Sequence, residues 1–175
     1  MKTGIIHIYT GNGKGKTTAA LGLALRARSH GLSVVWVSFH KNPERWGYRE
    51  QEQLQAIGVE IAQFAKEHPF CDKDVTPEGL RNDCLEGLDH LRTLYQRDDL
   101  DLLVVDELNI SVRDGYLQEQ EVLDFMQARP EGLELVLTGR GATPAMCEIA
   151  DLVTEMTKIK HPYDEGFQAR KGIEF

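Results

Sequence analysis

Ile5-Ile-His-Ile-Tyr-Thr-Gly-Asn-Gly-Lys-Gly-Lys-Thr-Thr-Ala-Ala-Leu-Gly-Leu-Ala-Leu25 is the stretch that decides the fold. The apolar run Ile5–Tyr9 reads as a short buried strand, and Thr17–Leu25 as the start of a helix. A glycine-rich turn between the two exposes successive backbone N–H groups, and the helix N-terminus adds partial positive charge. Gly11, Asn12, Gly13, Lys14, Gly15, Lys16, Thr17 and Thr18 are therefore the expected phosphate-binding residues. In such a loop Lys16 reaches β- and γ-type phosphate oxygens and the Thr17 hydroxyl ligates Mg²⁺. Thr10 stands where the general Walker A pattern begins with glycine, and Lys14 adds a second cation inside the loop.

Outward from this loop, strand-like and helix-like segments alternate. Ser33–Phe39 reads as a second strand, Glu44–Ala56 as a polar helix ended by Gly58, and Val59–Phe64 as a third strand. Glu67–Thr76 is loop-like. Thr76 then serves as a cap with Pro77 in the first helical turn. Leu80, Cys84, Leu88, Leu91 and Tyr95 recur at spacings of three and four, one stripe of a helix ending near Asp98. Leu102–Val105 is a continuous apolar run suited to a central parallel strand. A helix at 118–128, a strand at 133–137, a helix at 144–150 and a strand at 152–156 complete the pattern. Repeated βα units imply a mostly parallel sheet with helices on both faces, a P-loop NTPase-like (RecA-like) α/β fold. Residues 1–175 are expected to form one domain.

Composition narrows the class. The net charge of -8 argues against nucleic-acid binding as the main task, because that task leaves a basic footprint. Cys71, Cys84 and Cys147 are odd in number and form no C-x-x-C pair, so neither a disulfide framework nor a zinc site is expected. The sequence offers no apolar stretch of membrane-spanning length and no signal-peptide pattern, so the expected location is cytoplasmic.

Three further constellations carry chemistry. Asp106-Glu107 follows the run 102–105, at the strand edge that faces the ligand crevice in open α/β sheets. Either carboxylate can hold Mg²⁺ beside Thr17, and spacing does not choose between them. Thr138-Gly139-Arg140-Gly141 occupies the same kind of position; Arg140 is either a phosphate or carboxamide contact or a surface arginine. Phe70, an aromatic in a polar loop, either stacks on a flat ligand or plugs the core. His161 has no partner at metal-ligand spacing.

Together, Tyr9–Thr18, Val105-Asp106-Glu107-Leu108, Thr138-Gly139-Arg140, Ala150–Met156, Lys160-His161-Pro162 and the closing Gly172–Phe175 resemble the P-loop ATP:corrinoid adenosyltransferases, also called cob(I)alamin adenosyltransferases. The resemblance spans essentially the whole chain. It implies that a Co(I) corrinoid of the cobalamin or cobinamide type attacks the 5′ carbon of ATP and expels triphosphate, with ATP reversed in the loop relative to ordinary NTPases. Lys14, Lys16 and Mg²⁺ would then offset charge on the leaving group, with Arg140 a further site residue. By the same resemblance Thr17 and Glu107 ligate the metal, and Phe70 lies against the lower corrin face, displacing the axial ligand of Co(II). A homodimer and a flavodoxin-like reductant are also implied.

The chain departs from the family in three places. Asp72 stands where many members have tryptophan; Phe39-His40-Lys41-Asn42 lacks the glycine of F-x-K-G; and no N-terminal helical extension precedes the first strand to lid the corrinoid. Two alternatives to alkyl transfer stand beside this reading: an ATP-dependent switch and, given Asp72 and the lid expected to be missing, a corrinoid-binding chaperone.

Overall fold

The computed structural model describes residues 3–47, 49–67 and 75–174. Six strands, β1 (Ile6–Thr10), β2 (Val34–Phe39), β3 (Glu60–Phe64), β4 (Leu102–Asp106), β5 (Glu134–Thr138) and β6 (Leu152–Glu155), form one sheet in the order β3-β2-β4-β5-β1-β6. All five pairings are parallel. Such a sheet needs cover on both faces, which is why β2 and β4 are buried along their full length.

One face carries α4 (Pro77–Leu94), α5 (Leu108–Arg113), α6 (Glu119–Gln127) and α7 (Pro144–Ile149). The other carries α1 (Lys16–Ser29) and α3 (Glu50–Ala56). α1 meets the sheet through Ala20, Ala24 and Ala27, small side chains at spacings of four and three that let its backbone lie close. The expected α4 stripe is buried at Leu80, Cys84, Leu88 and Leu91. The helix itself stops at Leu94, and Tyr95 stacks flat on Phe125 with ring centroids 4.8 Å apart. At Gly87 a methyl group would come within 2.6 Å of the Phe39 ring, so glycine there sets how closely α4 approaches β2.

Two local departures from the sequence reading have simple causes. The helix expected over 44–56 is two pieces, α2 (Pro43–Trp46) and α3, because Gly47 adopts a left-handed conformation that ends α2. α5 was not expected. It is only six residues long, too short for periodicity to register, and begins directly after β4. Among the described residues, no helix is long and apolar enough to cross a membrane.

Candidate active site

β1 and β4 are not neighbours; β5 lies between them. The phosphate loop at the end of β1, the Thr138 tip of β5 and the Asp106-Glu107 tip of β4 therefore stand side by side along one sheet edge. That edge is where α/β sheets bind ligands.

The loop is held from the β6 side. Gly13 N–H donates to the Met156 carbonyl at 2.6 Å, and Met156 N–H donates to the Thr10 carbonyl at 2.9 Å. A Cβ at Gly11 or Gly13 would lie 2.6 Å from that same carbonyl, so both glycines are required by the close approach of the β6 exit. Gly15 has φ +126, which opens the turn into α1. Thr10, the residue that breaks the Walker pattern, stays in β1 and accepts the Ala142 N–H with its hydroxyl at 3.2 Å. The substitution ties the phosphate loop to the loop after β5.

Lys16 is buried, and its ammonium donates to the carbonyls of Gly11 and Gly13, both at 2.8 Å. Burial pushes its pKa down; Glu107 and Asp106 oppose this, and Arg140 adds to it. Lys14 is half-exposed and donates to the Ile173 carbonyl at 2.7 Å and to Glu174 Oε1 at 3.1 Å. Glu174 is also gripped by Arg170, which holds its carboxyl well below the usual range, at about 2.

Asp106 is wholly buried and takes three side-chain donors. Its Oδ1 accepts from Thr138 Oγ1 at 2.6 Å and from Thr17 Oγ1 at 3.0 Å, and its Oδ2 accepts from Lys41 Nζ at 2.5 Å. Lys41 Nζ also donates to Thr17 Oγ1 at 3.2 Å. Thr138 closes the arrangement by accepting the Glu107 N–H at 3.0 Å. That bond holds Glu107 at φ +66, a left-handed conformation uncommon for a residue with a side chain.

Glu107 differs sharply from Asp106. Among the described residues, its buried Oε2 has no hydrogen-bond partner. Burial pushes its carboxyl pKa up, the Asp106 charge adds to that, and Lys41, Lys16 and Arg140 pull the other way. A buried carboxylate oxygen left without a donor is uncommon and keeps its capacity to bind a further group.

A cleft of about 680 Å³ opens over these groups, lined by Lys14, Lys16, Thr17, His40, Glu107 and Arg140 among others. Of the expected site residues, the structure brings together Gly13, Lys14, Gly15, Lys16, Thr17, Thr18, Glu107 and Arg140 around it. Gly11 and Asp106 lie behind its wall, and Asn12 is exposed at the loop tip. His161, set aside as a metal ligand, lines the cleft and accepts the Tyr163 N–H. Phe70, Cys71 and Asp72 lie outside the described residues.

Two residues of the cluster, Lys41 and Thr138, were given no role in the sequence reading. Thr138 was visible in the Thr-Gly-Arg segment and Lys41 in F-x-K; only their pairing with Asp106 was hidden. Asn42, in the place of the missing glycine, has φ -103, caps α2 by accepting the Arg45 N–H, and bonds Glu67. His40, two residues earlier, is left-handed at φ +54.

Loop, carboxylate tip and cleft define a P-loop nucleotide-binding α/β protein. Residues 2–175 match the family described as ATP:corrinoid adenosyltransferase BtuR/CobO/CobP, and the chain belongs to that family. A corrinoid adenosyltransferase of Escherichia coli is 37% identical over 172 residues, covering 98% of this chain and 86% of its own. One from Pseudomonas aeruginosa is 36% identical, covering 98% and 84%. The corrinoid adenosyltransferase CobA of Salmonella typhimurium is 37% identical over 98% of this chain and 86% of its own. The chain is an enzyme of this type, with ATP and a corrinoid as substrates.

Proposed function

We propose that the cleft over Lys16, Thr17 and Glu107 holds the triphosphate of ATP, and that the loop and its cations stabilise it as it departs. The cobalt of a reduced corrinoid supplies an electron pair to C5′, a Co–C bond forms, and the C5′–O bond breaks with its electrons leaving on triphosphate. Negative charge thus grows on the bridging oxygen of the leaving group. Preorganised N–H groups and ammonium groups aimed at that charge contribute most to rate in such reactions. Lys14 and Lys16 are the cations on the loop itself; Arg140, exposed at the cleft wall, is a third.

The residues present fit Mg²⁺. Mg²⁺ is held by one or two carboxylates plus substrate phosphates, and keeps several waters. The Thr17 hydroxyl and Glu107 Oε2 are the oxygens suited to it, with Asp106 behind them already engaged by three donors. When bound, the ion neutralises charge on the phosphates. Phe70 is assigned to the lower corrin face, where it would displace the axial ligand. A cobalamin- or cobinamide-type acceptor, a flavodoxin-like reductant, a homodimer, a cytoplasmic location and a single domain over residues 1–175 belong to the same reading.

The observation that carries this proposal is the convergence on one cleft of Lys16, Thr17 and Glu107, whose buried Oε2 has no hydrogen-bond partner among the described residues. Incubating the protein with Mg·ATP and chemically reduced cobalamin tests it. Adenosylcobalamin and triphosphate are expected in equal amounts. ADP and phosphate would overturn the assignment.

A further inference from the structure

We propose that Lys41 is a positioning residue of the metal seat: it neutralises Asp106 so that Asp106 holds Thr17 and Thr138, leaving the incoming divalent cation to Glu107. The inference rests on the metal seat assigned above and adds to it a reason for the division of labour between two adjacent carboxylates.

Two carboxylates side by side next to a hydroxyl would ordinarily compete for a divalent cation, since each favours it by the same Coulomb attraction. Here they are not equivalent. Asp106 is 0% exposed and takes three side-chain donors, one of them the Lys41 ammonium at 2.5 Å. Glu107 has a buried oxygen with no hydrogen-bond partner among the described residues. The asymmetry traces to β2. His40 turns through φ +54 at the strand end, and the next residue, Lys41, enters the site and is 7% exposed. Its Nζ also donates to Thr17 Oγ1 at 3.2 Å, so one ammonium sets both the Asp106 carboxylate and the hydroxyl beside it.

A buried charge that loses its partner is strongly disfavoured, so Lys41 and Asp106 stay paired while more exposed contacts exchange. Lys41 thereby offsets the Asp106 charge at hydrogen-bond distance, while Glu107, acted on through space by Lys41, Lys16 and Arg140, keeps an oxygen for the cation.

Charge counting gives a pattern that a purely structural lysine would not produce. Mn²⁺ alone, titrated onto the full chain without nucleotide and followed by water-proton relaxation, is the probe. Lys41→Met makes the seat more negative and is expected to bind Mn²⁺ about tenfold more tightly or better, the order expected for one unpaired charge at close range. Asp106→Asn is expected to weaken binding. The double variant should return to near wild type, and Lys41→Arg should stay within about threefold of it. If Lys41→Met does not fold, the comparison of Asp106→Asn with the double variant carries the same test, because removing Lys41 must tighten binding there too.

Equal or weaker Mn²⁺ binding on removal of Lys41 in either background, including none at all, overturns the role of Lys41. Glu107→Gln separates this from failure of the seat. If it leaves Mn²⁺ binding unchanged, the seat is misplaced and the proposal falls with it. If it abolishes binding while Lys41→Met has no tightening effect, the seat stands and only the positioning role falls.

Discussion

Thr138→Val tests the link between the two halves of the site. Thr138 is fully buried at the tip of β5, where its hydroxyl donates to Asp106 Oδ1 at 2.6 Å and accepts the Glu107 N–H at 3.0 Å. Valine has nearly the same shape, so the substitution leaves little cavity and isolates the polar loss. A hydrogen bond to a charged group contributes about 1.5–3 kcal/mol, and an amide left unpaired and buried costs about 1–3 kcal/mol. The two losses share one hydroxyl and are not additive, so the expected destabilisation is about 2–4 kcal/mol. For a chain of this size that is a fall in Tm of roughly 5–15 °C, at about 2–4 °C per kcal/mol. Thr138→Ser keeps the hydroxyl and removes one methyl, so its loss should be nearer about 1 kcal/mol. Calorimetry on both variants, with urea unfolding as a second probe, gives the comparison. Nucleotide affinity should fall in the valine variant and hold in the serine variant, since Glu107 is aimed by the Thr138 hydroxyl. A valine variant within about 0.5 kcal/mol of wild type, or a serine variant as damaged as the valine one, would refute the assigned bridge.

Other perturbations address single residues. Lys16→Ala is expected to lower kcat about 10²–10³-fold, the range seen when one preorganised donor is lost; single-turnover assays showing no change would contradict its role. Glu174→Gln weakens a competitor for Lys14, which it meets at 3.1 Å, so inorganic triphosphate should bind a few-fold more tightly by calorimetry. Unchanged or weaker binding would mean that this contact does not compete with phosphate. Burial pushes the Cys84 thiol up from 9.0 to about 11 against a weaker opposing bond to Ser111. The buried thiol therefore adds stability that is fully present below pH 9.0 and is lost as pH climbs through about 11. Urea midpoints measured from pH 8 to 11 should fall less steeply in Cys84→Ala than in wild type, and parallel curves would remove the thiol from the explanation.

The strands and the phosphate loop were legible because their signals are local. Ile5–Tyr9 must be buried to be stable, and a glycine-rich turn before a helix has few other uses. What the chain alone did not yield depends on pairs distant in sequence. Lys41 and Asp106 are 65 residues apart, and Thr138 and Asp106 are 32 apart; nothing in either neighbourhood marks the partner. The two roles of Asp106 and Glu107 were likewise open, since adjacent carboxylates differ only through what surrounds them. Gly11 and Gly13 were read as freedom for phosphate contact. The structure adds a second constraint, the Met156 carbonyl, which only the return of the chain through β6 reveals. Helix 44–56 was read as one element because the run is polar throughout, whereas the left-handed conformation of Gly47 ends the first piece.

The three lysines of the site differ in what holds them, and on the proposed assignment that would decide how nucleotide enters. Each ammonium is already bonded to protein oxygen: Lys14 to Ile173 and Glu174, Lys16 to the loop carbonyls of residues 11 and 13, and Lys41 to Asp106 and Thr17. Binding a triphosphate is therefore an exchange of partners rather than the capture of an anion by bare cations. Lys14 exchanges easily, because its side chain is 47% exposed and the surface ion pair it gives up is worth little. Lys16 gives up two neutral carbonyls for phosphate oxygens, a trade toward stronger charge-assisted bonds. Lys41 has no such trade. Leaving would strand Asp106, whose side chain is 0% exposed, as an unpaired buried charge. On the proposed assignment, two lysines would move to the ligand and one would stay. The fixed one sits beside Thr17 and the carboxylate tip, where the geometry of the leaving group has to be set before the bond to C5′ can break.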